Sequence, residues 1–542
     1  MEGLMMHYPL TTTTILEYGN SAFHHKKVIS HLPDGSRHEY RFSDLYKRTK
    51  QLANALTKKL GVTRGDMVGT FAWNHYQHLE LYYGIPGIGA ICHTINIRLS
   101  SQQTEFIINH SEDKVIFVDA TLVPLLEKIA AQLETVEKYI IINAPEGFTT
   151  TLPEVLHYED LLKDNSEEFE WPALNENDAC GMCYTSGTTG LPKGVLYSHR
   201  STYLHASTIL SPNAANCSNR DVMLLIVPQF HVMAWGFPYM CILAGADMVM
   251  PSLHLQPEAI IRILQEEKVT KANGVPTIWL GVYEAMKKNP PKEKLVLEEY
   301  LVGGSALPAS LIEGFERDFG IRGVQAWGMT ETSPLGTVAR LQPKHESLSE
   351  KEKLHIRAKQ GIEFPGIEMR IVKDDGTVAP RDGKTMGELQ VRGAWVLRSY
   401  FKTLNQENFS EDGWFKTGDV STIDEDGYMH ITDRTKDLIK SGGEWISSVA
   451  LESALMSHPK IKEAAVIAIP DDTWSERPLA SIVLADANEK VTKEEMMEFL
   501  ARDFAKYQIP EHYVFIDQVP RTSVGKFDKK EIRKRYAEGK LG

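Results

Sequence analysis

The chain has 542 residues, 42% of them hydrophobic, and a formal net charge of −13 at pH 7. A chain of this length exceeds a single hydrophobic core, so we expect at least two domains. The acidic balance excludes a general nucleic-acid binder, because such a protein needs a basic face for the phosphates.

The N-terminal region gives no indication of export. Residues 1–7 lack the basic stretch and apolar core of a secretory signal. No apolar run of the sequence is long enough to span a bilayer. The sequence therefore predicts a cytoplasmic protein, and it leaves peripheral contact with a membrane open.

Strand-like apolar runs alternate with amphipathic helical runs through the first half of the chain. Leu45, Leu52 and Leu56 recur on one face of a predicted helix, and a predicted strand follows at 67–72. Other short apolar runs bounded by polar residues are 115–118, 139–142 and 222–227. Such runs suit strands covered on both faces, so the pattern predicts parallel α/β layers.

Five cysteines are too few to frame so long a chain with disulfides, which favours a reducing compartment. Cys180 and Cys183 form a C-x-x-C pair inside an apparent strand at 179–184. Residues three apart on a strand face opposite sides. We therefore interpret both cysteines as packing residues rather than as a zinc or redox pair.

A loop rich in glycine and hydroxyl residues follows that strand. Residues 184–194 read Tyr-Thr-Ser-Gly-Thr-Thr-Gly-Leu-Pro-Lys-Gly. Glycines let backbone N–H groups converge on an anion, hydroxyls add donors or metal ligands, and Lys193 adds positive charge. The loop differs from a Walker A loop, because Lys193 lies between proline and glycine with no hydroxyl after it. We predict a phosphate-binding loop outside the P-loop class.

The C-terminal part of the chain changes character. From about residue 360, short alternating strands with Gly/Asp turns predict a small barrel-like β subdomain. The last part predicts a small α+β unit, in which Thr492 and Glu495 form a capping-box pattern before a helix carrying Met497, Leu500 and Phe504. We interpret the basic tail after Arg521 as a solvated helix face, apart from Lys526.

Six motifs in order resemble those of adenylate-forming enzymes, the superfamily of acyl-CoA synthetases, adenylation domains and luciferases. They are the 184–194 loop and the segments 303–308, 327–332, 413–419, 433–443 and 520–526. Six matches in order over most of the chain are far more specific than any one alone. The sequence is most similar to medium- and long-chain fatty acyl-CoA synthetases.

The resemblance implies an α/β fold with two domains of unequal size. The large, multi-layered N-terminal domain would contain two α/β sheets and a small β-barrel, and the smaller α+β C-terminal domain would be mobile. We predict the N-terminal domain at 1–433, a hinge at 434–439 and a C-terminal lid domain at 440–542. Related fatty acyl enzymes are often dimers, so we also expect a homodimer.

The resemblance assigns catalysis to Lys526, Glu331 and Thr330. Attack of a carboxylate on ATP needs cations and donors that offset charge on both reactants. Lys526 would bridge the carboxylate oxygen and the α-phosphate. Glu331 would hold Mg²⁺, with Thr185 as a second metal ligand.

The nucleotide site follows from the same motifs. Asp419 is the predicted ribose ligand, since a carboxylate can accept both hydroxyl hydrogens. Trp327 would offer its face to adenine, where relatives usually have tyrosine. Lys436 occupies the hinge position. The predicted nucleotide-binding residues are Thr185, Ser186, Gly187, Thr188, Thr189, Lys193, Gly304, Gln325, Ala326, Trp327, Gly328, Asp419, Arg434, Lys436, Lys440 and Trp445.

The segment 228–236 resembles the part of fatty acyl-CoA synthetases that lies against the acyl chain. His231, Val232 and Trp235 are the predicted acyl-binding residues, with Trp235 as the gate to an apolar tunnel. His231 and Trp235 are four residues apart, so they would share a face if the segment is helical. After the lid rotates, Gly442 and Gly443 would line the tunnel for the thiol of CoA.

These assignments predict a ligase that uses ATP and Mg²⁺ to make fatty acyl-CoA from CoA through acyl-AMP, with medium- to long-chain acids favoured. Alternatives are a CoA ligase for a short methylthio or aryl acid and an adenylation domain that serves a carrier protein. Nothing indicates the oxidisable substrate of a luciferase. A catalytically inactive nucleotide-binding scaffold is the alternative from another class, although binding alone would not need Lys526.

Overall fold

The computed structural model describes residues 1, 3–185, 191–403, 406–434, 436–441, 444–471, 473–486, 489–522 and 526–541. The chain divides into two compact units. Unit 1 comprises Met1–Leu301, Gly328–Gly336 and Gly393–Asn405, and unit 2 comprises Val302–Trp327, Thr337–Arg392 and Gln406–Gly542. The boundaries predicted for the N-terminal domain, the hinge and the lid stay predictions.

Helices and strands alternate along unit 1. Its helices are α1 Thr12–Phe23, α2 Phe42–Lys58, α3 Tyr76–Gly87, α4 Ser101–Ser111, α5 Val123–Glu127, α6 Tyr158–Lys163, α7 His199–Ile209, α8 Phe237–Ala244, α9 Pro257–Glu266 and α10 Pro276–Lys288. Its strands are β1 Lys27–His31, β2 Arg37–Arg41, β3 Met67–Phe71, β4 Ile91–Thr94, β5 Asp113–Asp119, β6 Lys138–Ile142, β7 Val155–His157, β8 Ala179–Tyr184, β9 Gly194–Ser198, β10 Val222–Leu225, β11 Asp247–Met250, β12 Lys271–Gly274 and β13 Glu299–Val302. This alternation is the predicted α/β pattern.

One sheet of unit 1 has seven strands in the order β7-β6-β5-β3-β4-β8-β9. Its neighbours pair parallel, except that β8 and β9 form an antiparallel hairpin with Tyr184 opposite Gly194. Every residue of β3 is buried, as predicted for a strand covered on both faces. The hairpin places the predicted phosphate-binding loop between two strands, whereas a Walker A loop opens a helix.

The other strands of unit 1 follow one another in the order β13-β12-β10-β11-β1-β2. β10 pairs parallel with β11 and β12, β1 pairs parallel with β11, and β2 adds an antiparallel edge. The amphipathic α2 buries the predicted stripe of Leu45, Leu52 and Leu56. The cysteines of the C-x-x-C pair are buried and carry free thiols, as expected for packing residues.

Unit 2 contains shorter helices and more antiparallel strands. Its helices are α11 Ala309–Phe319, α12 Glu350–Arg357, α13 Ser448–Met456, α14 Lys493–Leu500 and α15 Lys529–Ala537. The strands that follow β13 are β14 Arg322–Gly328, β15 Leu335–Val338, β16 Ile362–Glu363, β17 Ile367–Val372, β18 Gly387–Gly393, β19 Phe415–Ile423, β20 Met429–Arg434, β21 Ile439–Ser441, β22 Glu444–Ile446, β23 Ile461–Asp471, β24 Ser475–Leu484 and β25 His512–Phe515.

Two sheets of unit 2 correspond to the two C-terminal regions distinguished in the sequence. The short strands expected after residue 360 form a four-stranded sheet in the order β17-β18-β19-β20. The last part of the chain forms the sheet β22-β21-β24-β23, and β25 pairs with β24. Leu451, Leu455 and Leu500 bury their side chains against this second sheet with Val466 and Ile482. None of the described helices of the chain is long and apolar enough to cross a membrane.

The start of α14 agrees with the sequence, but its end does not. Thr492 caps the helix, because its Oγ1 accepts a hydrogen bond from Glu495 N at 3.1 Å. The helix ends at Leu500, so Phe504 lies in the turn that follows. Phe504 keeps the apolar spacing and still packs on the core, and such spacing does not mark a helix end.

Candidate active site

The hairpin closes the base of the predicted phosphate-binding loop. Thr185 N donates to Lys193 O at 2.9 Å, and Lys193 N donates to Thr185 Oγ1 at 3.3 Å. Thr185 and Lys193 are therefore paired across the two ends of the loop. The predicted loop residues Ser186, Gly187, Thr188 and Thr189 lie outside the described residues.

A tight turn of unit 1 carries Glu331. Thr330–Thr332 form one 3-10 turn, in which Glu331 is only 7% exposed. The turn begins where no side chain fits, because a Cβ on Gly328 would lie 2.1 Å from Pro334 O. The Thr330 carbonyl accepts a hydrogen bond of 2.9 Å from the Tyr197 hydroxyl. Close packing thus fixes the backbone on both sides of the predicted metal ligand.

Tyr400 contacts both the turn and the loop. Its hydroxyl donates to Glu331 Oε1 at 2.8 Å, and Lys193 Nζ lies 4.8 Å from the centroid of its ring. Burial, together with the Glu331 carboxylate, raises the pKa of Tyr400 well above its usual value. The hydroxyl therefore keeps its proton and serves as a donor to the buried carboxylate.

The buried carboxylate of Glu331 fits a nucleotide-bound Mg²⁺. Within the described residues, no group of three or more His, Cys, Asp or Glu side chains could hold a metal ion by itself. Mg²⁺ in phosphate sites is usually bound by one or two carboxylates together with substrate phosphates. A single buried glutamate that shares Tyr400 with Lys193 of the predicted phosphate-binding loop matches that donor set.

Asp419, Trp327 and Arg434 meet in unit 2. Trp327 Nε1 donates to Asp419 Oδ2 at 3.0 Å, and Arg434 Nε lies 2.6 Å from Asp419 Oδ1. Asp419 and Arg434 are opposite each other on the antiparallel strands β19 and β20. Because Asp419 is 1% exposed, one N–H donor and one cation fix the direction of its carboxylate. Three residues that the sequence assigns to the nucleotide are in direct contact.

Gln325 on β14 holds the segment that contains Gly304. Leu307 N donates to Gln325 Oε1 at 2.6 Å, and Gln325 Nε2 donates to Ala326 O at 2.9 Å. Gly304 has a φ of 87°, which a residue with a side chain rarely adopts. The amide of Gln325 therefore connects the Gly304 turn to the strand that ends at Trp327 and Gly328.

Comparison with known protein families accounts for most of the chain. A model described as AMP-binding enzyme matches residues 20–401, and a model described as AMP-binding enzyme C-terminal domain matches residues 450–526. The chain belongs to the AMP-binding enzyme family. Its membership confirms the resemblance drawn from the six motifs.

Individual relatives match this AMP-binding enzyme over nearly its whole length. The long-chain-fatty-acid–CoA ligase of Thermus thermophilus is 44% identical over 537 residues, 98% of this chain and 96% of the relative. The 3-methylmercaptopropionyl-CoA ligase of Ruegeria lacuscaerulensis is 43% identical over 543 residues, 100% of both chains. The solved structure of the anthranilate CoA ligase AuaEII in complex with anthranoyl-AMP has a TM-score of 0.86 at 25% identity, covering 98% of each chain.

The predicted lysines of the C-terminal part lie in unit 2 of the AMP-binding enzyme. Lys440 on β21 is opposite Trp445 on β22, with its Nζ 5.0 Å from the ring centroid. Lys526 is paired with Thr522, because its N–H donates to Thr522 Oγ1 at 3.2 Å and its carbonyl accepts from Thr522 N at 2.8 Å. The backbone carbonyl of Lys436 accepts a hydrogen bond of 3.2 Å from the Arg533 guanidinium.

The predicted residues of the CoA tunnel, Gly442 and Gly443, lie outside the described residues.

The predicted acyl-binding segment is not a right-handed helix. Val232, Met233, Ala234 and Trp235 have φ values of 46°, 49°, 49° and 58°, and Gly236 continues the left-handed turn at 74°. The spacing of His231 and Trp235 therefore does not give them the shared helix face considered from the sequence. Val232–Gly236 is buried, and Gly236 leaves room for the His205 ring, because a Cβ on Gly236 would lie 2.6 Å from His205 Nδ1.

Sequence reasoning missed three side chains that support the site, namely Tyr197, His205 and Tyr400. His205 Nε2 accepts a hydrogen bond of 3.2 Å from Leu335 N, and burial lowers the pKa of His205 to about 3, so the ring stays neutral. Tyr197 could have been suspected as a polar group on the buried strand β9. Tyr400 had no such signal, because it lies in an irregular segment.

Proposed function

We propose that this protein is an AMP-forming acyl-CoA ligase that joins fatty acids to CoA with ATP and Mg²⁺, with medium- to long-chain acids preferred. The observation that carries the proposal is that Glu331 and Lys193 both contact Tyr400. A buried carboxylate and a cation are thereby brought to one place. The name of the Thermus thermophilus relative supports the acid, and the anthranoyl-AMP of the solved complex supports the intermediate.

The reaction proceeds in two substitutions. A carboxylate oxygen of the acid attacks the α-phosphorus and pyrophosphate leaves; the CoA thiolate then attacks the acyl carbonyl and AMP leaves. Lys193 offsets charge on the phosphates, and Lys526 offsets charge between the acid and the α-phosphate. Glu331, with Thr185 as a second ligand, would hold Mg²⁺, which would supply further positive charge to the phosphate oxygens.

Asp419 orients the ribose in this proposal. Each carboxylate oxygen has two lone pairs, so oxygens that accept from Trp327 and Arg434 can also accept from ribose hydroxyls. The two protein donors hold the carboxylate before the nucleotide arrives, which lowers the entropy lost on binding. The face of Trp327 then serves as the stacking surface for adenine.

A short methylthio acid is the second candidate substrate, because the Ruegeria lacuscaerulensis relative is similar over its full length. Measurement of kcat/KM for octanoate, palmitate, 3-(methylthio)propionate and cinnamate tests the two directly. We expect octanoate or palmitate to exceed the other acids by about tenfold or more, since each buried CH₂ contributes about 0.8 kcal/mol. A higher value for 3-(methylthio)propionate would replace the proposed substrate. A cytoplasmic location and a homodimer stay predictions.

A further inference from the structure

Residues 395–402 form a strap in unit 1 that crosses the Glu331 turn and reaches β9. Leu397 N donates to Glu331 O at 2.9 Å, and Phe401 N donates to Gly194 O at 2.8 Å. Ser333 Oγ donates to Trp395 O at 2.8 Å, at the other end of the strap. Backbone hydrogen bonds thus fix the strap to both elements that carry predicted phosphate and metal ligands.

Tyr400 is the residue of this strap that reaches the two charged side chains. It is 6% exposed, and its hydroxyl bonds Glu331 Oε1 while its ring lies beneath Lys193 Nζ. A hydroxyl donor to a carboxylate and an aromatic face beneath an ammonium are both attractive contacts. One rigid side chain therefore restricts two flexible ones, and a tyrosine loses little rotamer freedom in doing so.

We propose that Tyr400 is a positioning residue for adenylation, which holds Glu331 for the metal through its hydroxyl and Lys193 for the phosphates through its ring. The inference rests on the proposed function, because Glu331 and Lys193 receive their roles there. Tyr400 itself touches neither reacting atom. Its effect is to order the two ligands before Mg²⁺ and ATP bind, so that less conformational entropy is lost on binding.

The two halves of the tyrosine can be separated by substitution. Tyr400→Phe removes the hydroxyl and keeps the ring, whereas Tyr400→Leu removes both. Binding of α,β-methylene-ATP, which cannot be cleaved at the reacting bond, is measured by calorimetry with Mg²⁺ and in its absence. We expect Tyr400→Phe to need about tenfold more Mg²⁺ for half-maximal binding of the analogue, because the substitution removes a hydrogen bond to a charged group. Metal-free binding should stay within about twofold of the unmodified protein.

Tyr400→Leu should show the same metal defect and also weaken metal-free binding by about threefold, the size of an exposed cation–π contact. Tyr428→Phe is the matched control, because the Tyr428 hydroxyl donates to the carbonyl of Arg340 in unit 2, and Arg340 is not a predicted ligand. Its Mg²⁺ dependence should equal that of the unmodified protein.

The outcomes separate this inference from the proposed function. An unchanged Mg²⁺ requirement in a folded Tyr400→Phe protein would overturn the positioning role alone. Equal weakening with and without Mg²⁺ would also overturn it, since it would indicate a general packing defect. Failure of the unmodified protein to bind the analogue under any condition would overturn the proposed function and this inference together.

Discussion

At the scale of single residues, the contacts between side chains describe the candidate site better than their positions in the sequence do. Asp419 on β19 is distinguished by its contacts with Trp327 and Arg434, which occupy one carboxylate oxygen each. Relatives usually have tyrosine at position 327, and the indole N–H of Trp327 supplies a donor to Asp419, the predicted ribose ligand. The aromatic face and the carboxylate are therefore linked before the nucleotide binds.

Lys526 gives the sharpest prediction at this scale. We expect Lys526→Ala to abolish formation of acyl-AMP and largely to spare formation of the thioester from preformed acyl-AMP and CoA. The reason is that its charge is needed when the carboxylate attacks the α-phosphate and not when the thiolate attacks the carbonyl. Single-turnover assays of each half-reaction measure the difference, with Lys530→Ala from the same basic tail as the control. Equal loss of both half-reactions would contradict this role.

Sequence alone singled out Glu331, Asp419 and Lys526 as candidates, because each lies in a motif that resembles those of the family, and their roles stay predictions. It did not locate Tyr400 or His205, because their roles depend on contacts made across long sequence separations. Tyr400 reaches Glu331 from 69 positions away, and His205 reaches Leu335 from 130 positions away. Contacts over such separations cannot be read from the periodicity of apolar residues or from the composition of turns.

At the scale of elements, the backbone conformation decides which side chains a sequence pattern brings to one face. The buried strands of the seven-stranded sheet were predictable, because continuous apolar runs suit parallel strands covered by helices. The left-handed turn at Val232–Gly236 was not, because L-residues in that region are rare and are held there by the surrounding structure. The shared face considered for His231 and Trp235 required an α-helix, and the segment does not form one.

The left-handed turn leads to a prediction about acid selectivity. Trp235 is buried in the turn, so Trp235→Ala should open space beside the predicted acyl site. We expect the ratio of kcat/KM for palmitate to that for octanoate to rise by about fivefold or more, from the added room for apolar chain. Trp279→Ala removes a buried tryptophan outside the predicted acyl segment and serves as the control for lost core packing. An unchanged ratio in Trp235→Ala would argue against the gate.

At the scale of the whole molecule, buried neutral histidines link stability to pH. Burial lowers the pKa of His78 and His205 to about 3 and that of His199 and His430 to about 4. The unfolded chain binds protons on these groups near pH 6.5. Their stabilising effect is therefore complete above that pH and is lost as the pH falls towards 4.

We expect the urea midpoint of unfolding to decrease as the pH is lowered from 6.5 to 5, with each histidine contributing up to about 1.4 kcal/mol per pH unit. Glu452 opposes this trend, because burial raises its pKa to about 7 and its folded form then gains protons in the same range. Burial also raises the pKa of Glu80 and Asp433, but the buried histidines with lowered pKa values outnumber these three carboxyls. In His205→Gln the dependence should be shallower, and a midpoint that rises towards pH 5 would contradict the account.

The central claim is that this AMP-binding enzyme activates a carboxylic acid as its adenylate before CoA takes part. Exchange of labelled pyrophosphate into ATP, measured with Mg²⁺ and fatty acid but without CoA, tests it most directly. The account predicts exchange that requires both the acid and Mg²⁺ and that disappears in Lys526→Ala. No exchange with any carboxylic acid, or exchange that depends on CoA, would contradict it.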